Sequence, residues 1–267
     1  MALEHTSEDT TLDGEVHFLV PEDSYVKRVL CYPRTECSEY LERIKLLVSD
    51  GFIYFLETGT SVLGARVLGK GYSSVVVAAK NTKFGLGALK ILRTDSRRSS
   101  LLWEAEVLRR AQISGLAPRL YIYRDFYIFQ ELLSPRTCRP YSVILEKLVL
   151  SSDVRGVKRI LAETMKSLFR LDASRVDHAE LNRPRGHIFY CEDGRVIIVD
   201  WESAKISSKP VNLTSFTSYI VFRFKYRLEL GELLNWNVEK ILSALRNYKL
   251  TYSSIEFENV LSALGLV

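Results

Sequence analysis

The sequence contains few cysteines, and they form no recognisable motif. The 267 residues include only four, and no two of them make a Cys-x-x-Cys pair. Small secreted domains use a dense disulfide framework and zinc sites use closely spaced pairs, whereas this spacing fits neither. We therefore expect reduced thiols, no cysteine-based metal site and a cytoplasmic location. The four are Cys31, Cys37, Cys138 and Cys191.

Long apolar runs are absent as well. No uncharged apolar stretch approaches the roughly 20 residues that a bilayer span requires. The first fifteen residues are polar and acidic, whereas a secretory signal combines a basic start with an apolar run. We expect no membrane partner, and we predict that residues 1–15 form a disordered tail.

The remaining composition is that of an ordinary globular chain. Hydrophobic residues make up 47% and charged residues 26%, and the formal net charge is +5. This mild positive charge suits a phosphate-bearing ligand or an acidic partner, but it does not single out nucleic acid.

Local patterns divide the chain into a strand-rich first half and a mainly helical second half. A helix over 37–50 and a strand over 52–57 indicate a small α/β segment, residues 16–62, whose role is not legible. Residues 65–132 then predict five antiparallel strands and one helix. A long amphipathic helix over 154–172 follows, and Asp193-Gly194 between two apolar stretches predicts a tight hairpin.

A glycine turn lies between the first two of these five strands. The stretch GKGYSSVV, residues 69–76, allows backbone amides to approach phosphate oxygens closely. The dinucleotide-binding fingerprint would need a helix after the glycines, but a strand pattern follows. On its own, the stretch fits an ordinary hairpin turn as well as a phosphate loop.

Lys90 lies in an apolar strand pattern and therefore needs a counter-charge. At about 100° per residue, Glu104 falls in the apolar arc of the following helix. Glu106 instead points towards Arg109 and Arg110. Glu104 is thus the predicted partner of Lys90, either as a structural ion pair or as part of a catalytic site.

Two further stretches carry chemically useful side chains. The loop DHAELNRPRGHIFY, residues 177–190, holds two of the four histidines and the carboxylate of Glu180. Asp200 follows an apolar strand, with Glu202 close behind it, and such carboxylates suit an Mg²⁺ ion that bridges nucleotide phosphates. A strand-ending Asp that caps a turn is the alternative.

The order of these parts resembles the protein-kinase-like superfamily over about residues 65–205. The stretches LGKGYSSVVV, LKILRTDSRRSSLLWEAEVL, HAELNRPRGHI and IIVDWESAK are most similar to archaeal predicted serine/threonine protein kinases of the RIO-like branch. The resemblance implies an α+β, bilobal protein-kinase-like fold. A five-stranded antiparallel N-lobe sheet plus helix would occupy residues 63–133, and a reduced, mainly helical C-lobe residues 134–267, after a small N-terminal α/β extension.

The resemblance also implies ligands and roles. Lys90 would contact the α- and β-phosphates of ATP and pair with Glu104, and Asp200 would hold Mg²⁺, or Mn²⁺ in its place. Gln130 to Leu132 would form the hinge for adenine. The implied cofactor-binding residues are Gly69, Lys70, Gly71, Ser73, Ser74, Val76, Lys90, Glu104, Gln130, Glu131 and Leu132.

The catalytic loop departs from the common kinase pattern. Glu180 stands where kinases carry Asp, so the carboxylate that orients the attacking hydroxyl is displaced by about one bond length and we expect modest turnover. His178 would brace the loop, and Arg183 or Arg185 would add a cation near the transferred group. His187 lies in the sequence context of a metal-binding Asn, where it would hold a second metal ion, contact a phosphate or serve the structure.

The leading expectation is an ATP- and Mg²⁺-dependent serine/threonine protein kinase, with itself among its candidate substrates. Glu202 replaces the glycine of the common Asp-Phe-Gly motif and no Ala-Pro-Glu motif follows, so the acceptor is not identified. Two alternatives stay open: a small-molecule kinase of the aminoglycoside or lipopolysaccharide type, and a nucleotide-binding ATPase or scaffold with little kinase activity. The expected partners are ATP and an unidentified protein, and nothing supports association with nucleic acid or ribonucleoprotein.

Overall fold

The computed structural model describes residues 12–62, 64–184 and 186–267, which divide into two compact units. The first unit contains the described residues up to Ala105 together with Arg119–Ser134. The second contains Glu106–Pro118 and Pro135–Val267. Most of the predicted disordered tail, residues 1–11, lies outside the described ranges, and so does Arg185.

The first unit combines a sheet with helices from the N-terminal segment. The chain enters its first strand at Glu15, inside the stretch predicted to be a tail. The elements in order are β1 (Glu15–Phe18), α1 (Ser24–Leu30), α2 (Tyr40–Ser49), β2 (Phe52–Glu57), β3 (Thr60–Val62), β4 (Ala65–Val67), β5 (Gly69–Lys70), β6 (Ser74–Asn81), β7 (Gly85–Leu92), α3 (Leu102–Ala111), β8 (Leu120–Tyr123) and β9 (Tyr127–Gln130). The helix α3 begins in the first unit, and from Glu106 onward it belongs to the second.

The main sheet has seven strands within the described residues, not the predicted five. Its order is β1-β2-β6-β7-β9-β8, with β5 paired to β6, and every pair is antiparallel. On the side of β6 that faces away from β7, the short β5 pairs only with Val75 and Val76. The strand β2 pairs with the later residues of β6 on the same side, from Ala78 to Asn81. Backbone groups along a strand need partners, which explains why the N-terminal segment joins the sheet.

One face of this sheet forms the core of the first unit. Side chains alternate between the faces of a strand, and the inward set packs against α1 and α2. These core residues include Val26, Leu30, Leu47, Phe55, Val75, Val77, Leu89, Ile91 and Phe129. Residues of the other register, among them Ala78, Ala88 and Lys90, lie on the opposite face, and these three are buried as well.

The second unit is mainly helical. It starts within α3 at Glu106 and continues into a 3-10 turn (Gln112–Ser114). Its longest helix, α5, has one buried face. The remaining elements are β10 (Cys138–Pro140), α4 (Tyr141–Leu150), α5 (Val154–Ala173), β11 (Val176–Asp177), β12 (Ile188–Cys191), β13 (Val196–Ile198), β14 (Lys205–Ile206), α6 (Asn212–Phe222), α7 (Arg227–Leu233), α8 (Val238–Thr251) and α9 (Ser254–Ala263). The chain is thus α+β, and the predicted hairpin is confirmed, with Gly194 at φ 85° between β12 and β13.

A buried polar network supports the loop that follows α5. Asp172, near the end of α5, accepts hydrogen bonds from the backbone and side-chain nitrogens of Asn212 and from the Tyr248 hydroxyl. Burial raises the pKa of Asp172 to about 6, while these donors act in the opposite direction. Asn212 in turn accepts from the backbone N–H of His178, so the network fixes the start of the histidine-containing loop.

The expectation of reduced thiols is wrong, because both cysteine pairs form disulfides. Cys31 bonds to Cys37 in the first unit, and Cys138 bonds to Cys191 in the second. Cys138 and Cys191 are 53 residues apart in sequence, but they are direct partners in the antiparallel pair of β10 and β12. Strand register brings them together, and register is not visible in cysteine spacing.

Within the described part of the chain, none of the helices has both the length and the apolar character needed to cross a bilayer.

Candidate functional site

The predicted site residues lie in both units, and the glycine turn belongs to the first. Gly69 and Lys70 form β5 and pair with β6, and the Gly71 N–H donates to the Ser74 carbonyl at 2.8 Å. A strand follows the turn, which excludes the geometry of a dinucleotide-binding helix. The hydroxyls of Ser73 and Ser74 are buried and have no hydrogen-bond partner among the described residues. Unsatisfied buried hydroxyls are uncommon in proteins.

Lys90 and Glu104 form the ion pair that the sequence predicts. Nζ of Lys90 lies 2.5 Å from Oε1 of Glu104, and both residues are less than 10% exposed. Glu106 instead lies on the surface with Arg109, at 2.8 Å, as its position on the helix predicts. The pair joins the middle of β7 to the first turn of α3.

Lys90 lies on the sheet face opposite the one that packs against α1 and α2. In the register of the sheet Val76 pairs with Lys90, while Ala78 pairs with Ala88 and Ala88 with Gln130. All five residues therefore share one face, opposite the core set. This face combines small apolar side chains with a paired ammonium group, and Ala78, Ala88 and Lys90 are all buried.

The predicted hinge residues follow directly from the sheet. Gln130 ends β9, and Glu131 and Leu132 continue without regular structure. The Glu131 N–H donates to the Arg119 carbonyl at 2.7 Å. All three predicted hinge residues are half-buried.

In the second unit, His178 is a fully buried brace. Its Nε2 lies 3.3 Å from the Val199 carbonyl, and its ring meets Trp201 edge-on at 4.8 Å between centroids. Burial lowers the pKa of His178 to about 4, although the charges of Glu180 and Asp200 act in the opposite direction. The imidazole is therefore neutral at pH 7, and it ties the loop to the strand end before Asp200.

Glu180 is half-buried, and two side chains contact its two oxygens. Oε1 accepts a hydrogen bond from the Ser203 hydroxyl at 2.5 Å. Oε2 lies 3.3 Å from Nδ1 of His187, an ion-pair distance without hydrogen-bond alignment. His187 thus stands beside the predicted catalytic carboxylate.

Two residues next to these groups have strained backbones. Ala179 has φ 69° and Asp200 has φ 62°, in the left-handed region that non-glycine residues rarely adopt. Such conformations cost about 1–3 kcal/mol each and cluster at functional sites. The exposed Asp200 follows β13 by one intervening residue, Val199.

The structure brings one group of predicted residues together in each unit. The first group is the glycine turn with Lys90 and Glu104, and the second is His178, Glu180, His187 and Asp200. Arg183 is exposed, and its backbone N–H donates to the Glu180 carbonyl at 3.0 Å. Sequence reasoning missed Asn212 and Ser203, since their contacts cross 34 and 23 residues and no local pattern marks them.

Comparison with known proteins adds no family. No protein-family model matches this chain, and no curated protein matches it.

Proposed function

We propose that this chain is an ATP- and Mg²⁺-dependent phosphotransferase that acts on serine or threonine residues of a protein. The proposal includes a bilobal, kinase-like arrangement in which the first unit binds the nucleotide and the second carries the transfer chemistry. The observation that carries it is the buried Lys90–Glu104 pair on the sheet face opposite α1 and α2, on strands that continue from the glycine turn. A buried ion pair is a poor stabiliser, and its placement next to a phosphate-type loop favours a ligand-binding role.

The residues present fit the nucleotide. The two buried hydroxyls of Ser73 and Ser74 and the amides of the turn offer hydrogen bonds to phosphate oxygens. Lys90, held by Glu104, offers a fixed positive charge, and the small side chains of Ala78 and Ala88 line the same sheet face as Lys90.

The residues also fit the metal ion, because Mg²⁺ prefers carboxylate oxygens and Asp200 and Glu202 follow a strand end together. When bound, the ion neutralises phosphate charge. Asp200 would hold it, and His187 remains a candidate for a second ion or for a phosphate contact. Because Nδ1 of His187 faces Glu180, its Nε2 is the atom left for either role.

Glu180 would orient the acceptor hydroxyl and accept its proton. In the structure it already accepts a hydrogen bond from a serine hydroxyl, that of Ser203, which is the kind of group proposed as substrate. His178 stays neutral and positions the loop. Arg183 would place a cation near the transferred group.

The cytoplasmic location expected from the cysteine count stays a prediction. Disulfides are rare in the cytoplasm of most organisms, and hyperthermophiles are the main exception.

The test is transfer of labelled γ-phosphate from ATP, with Mg²⁺ or Mn²⁺ and a generic protein acceptor. We expect labelled protein from the wild type, none from Asp200→Ala, strongly reduced label from Lys90→Ala and normal label from the surface control Glu106→Ala. Label that appears only in free phosphate would favour an ATPase, and label that appears only in a small molecule would favour a metabolite kinase. A fully active Asp200→Ala enzyme would overturn the assignment.

A further inference from the structure

The N-terminal segment contains a histidine that lies between carboxylates. Nδ1 of His17 is 3.0 Å from Oδ2 of Asp23, and Nε2 is 3.2 Å from Oε2 of Glu57. Carboxylate oxygens only accept hydrogen bonds, and a neutral imidazole has one N–H to donate. The second contact therefore needs either another proton, on the ring or on a carboxyl group, or a metal ion.

A third carboxylate, that of Glu15, belongs to the same cluster. Glu15 lies two residues before His17 on β1 and is the direct cross-strand partner of Glu57 on β2. One ligand atom from each of these three residues lies within 4.8 Å of the others. Two like charges directly opposite each other destabilise a strand pair. The carboxylates of Glu15, Asp23 and Glu57 carry three negative charges. A single added proton leaves two of these charges uncompensated, whereas a divalent cation leaves only one negative charge uncompensated.

Neighbouring groups orient two of the three residues Glu15, His17 and Glu57, namely His17 and Glu57. Asp23 caps α1 by accepting the Val26 N–H with Oδ1, which leaves Oδ2 to hold Nδ1 of His17. The His17 ring also stacks on Tyr25 with 4.4 Å between centroids. Oε1 of Glu57 accepts the Arg66 backbone N–H at 2.9 Å, so its Oε2 is directed at His17. Metal-binding histidines characteristically donate the other ring N–H to a carboxylate, and metal-binding carboxylates are themselves hydrogen-bonded.

The geometry points to a zinc site formed by Nε2 of His17 and the carboxylates of Glu15 and Glu57, with Asp23 behind the histidine. Ligand distances of about 2.0–2.2 Å in a tetrahedron place neighbouring ligand atoms about 3.4 Å apart. The observed distance from Nε2 to Oε2 is 3.2 Å. Three protein ligands leave a fourth position for water. The ion would join β1 to β2 and, through Asp23, to the start of α1.

Zinc titration of the full-length, chelator-treated protein by calorimetry tests this inference. The wild type should bind one equivalent of Zn²⁺ that His17→Gln does not bind. Zinc taken up near His187 in the second unit would persist in that variant, so the expected result is the loss of one equivalent.

Two conservative variants separate a metal ion from a proton. Glu15→Gln keeps both contacts of His17 and removes a ligand, so zinc affinity should fall by more than about 10-fold. Asp23→Asn keeps a residue that caps helices well and should weaken zinc binding roughly 10- to 100-fold. The matched control is Glu36→Gln, which removes an exposed acid paired with Lys27 in the same unit and should bind zinc as the wild type does.

Thermal unfolding without zinc should show that the variants are folded, and zinc should raise the melting temperature of the wild type and of Glu36→Gln by more than that of the other variants. X-ray absorption at the zinc edge should show one imidazole and oxygen ligands. The inference is overturned if the wild type shows no saturable zinc binding, or if Glu15→Gln and His17→Gln bind as many equivalents with the same affinity. Either result would exclude a zinc ion at this cluster.

Discussion

Variants of the Lys90–Glu104 pair can separate what the pair contributes to the stability of the protein from what it contributes to ligand binding. At 2.5 Å, with an effective dielectric constant near 20, the gross attraction is about 7 kcal/mol. Most of this offsets the cost of removing two charges from water. Glu104→Gln leaves a buried ammonium group without its carboxylate, so we expect it to lower the free energy of unfolding by about 3 kcal/mol.

The double variant Lys90→Met with Glu104→Leu removes both charges and keeps the side-chain volume. Its free energy of unfolding should lie within about 1 kcal/mol of the wild type, because apolar replacement of a buried pair is often neutral or favourable. Urea unfolding followed by circular dichroism gives the stabilities, and calorimetry with an ATP analogue and Mg²⁺ gives the affinities. We expect both variants to lose nucleotide affinity, although only the single variant loses stability.

Two results would refute this reasoning. If the double variant is as unstable as Glu104→Gln, the cost does not come from an unpaired buried charge. If the double variant binds nucleotide as tightly as the wild type, Lys90 has no role in the ligand site.

Two further predictions concern the second unit. The pKa of His178 is lowered to about 4 from 6.5, so its contribution to stability is complete above pH 6.5 and is lost as the pH falls through 4. The stability advantage of the wild type over His178→Gln should therefore shrink by about 3 kcal/mol between pH 7 and pH 4. Urea unfolding at each pH measures this difference. A difference that does not vary with pH would contradict the burial of a neutral ring. The Cys138–Cys191 disulfide closes a loop with a sequence separation of 53, and replacing both cysteines with Ser should cost about 4 kcal/mol under oxidising conditions. Thermal and denaturant unfolding measure this cost, and equal stability of the two proteins would show that the bond does not restrict the unfolded chain.

Sequence reasoning succeeded where a local period decides the outcome. The 100° step of a helix distinguished Glu104 from Glu106, and the Asp-Gly signal located the hairpin of β12 and β13. The strand predicted over 52–57 has the same bounds as β2. In each case the information lies within a few residues of the element.

Sequence reasoning failed where contacts join distant residues. The pairing of β2 with β6, the disulfide between Cys138 and Cys191, and the contact of His17 with Glu57 all depend on strand register. Register depends on how complete sheets pack, and no short window of sequence contains it. The same limit applies to Asn212, whose role in holding His178 depends on the packing of α6 near the end of α5.

The most direct test of the account is an experimental structure of the protein with a non-hydrolysable ATP analogue and Mg²⁺. The account predicts that Lys90 contacts the phosphates, that Asp200 binds the metal ion, and that Glu180 faces the γ-phosphate. An analogue bound elsewhere, or a structure in which Lys90, Glu104, Glu180 and Asp200 lie on separate surfaces, would contradict it.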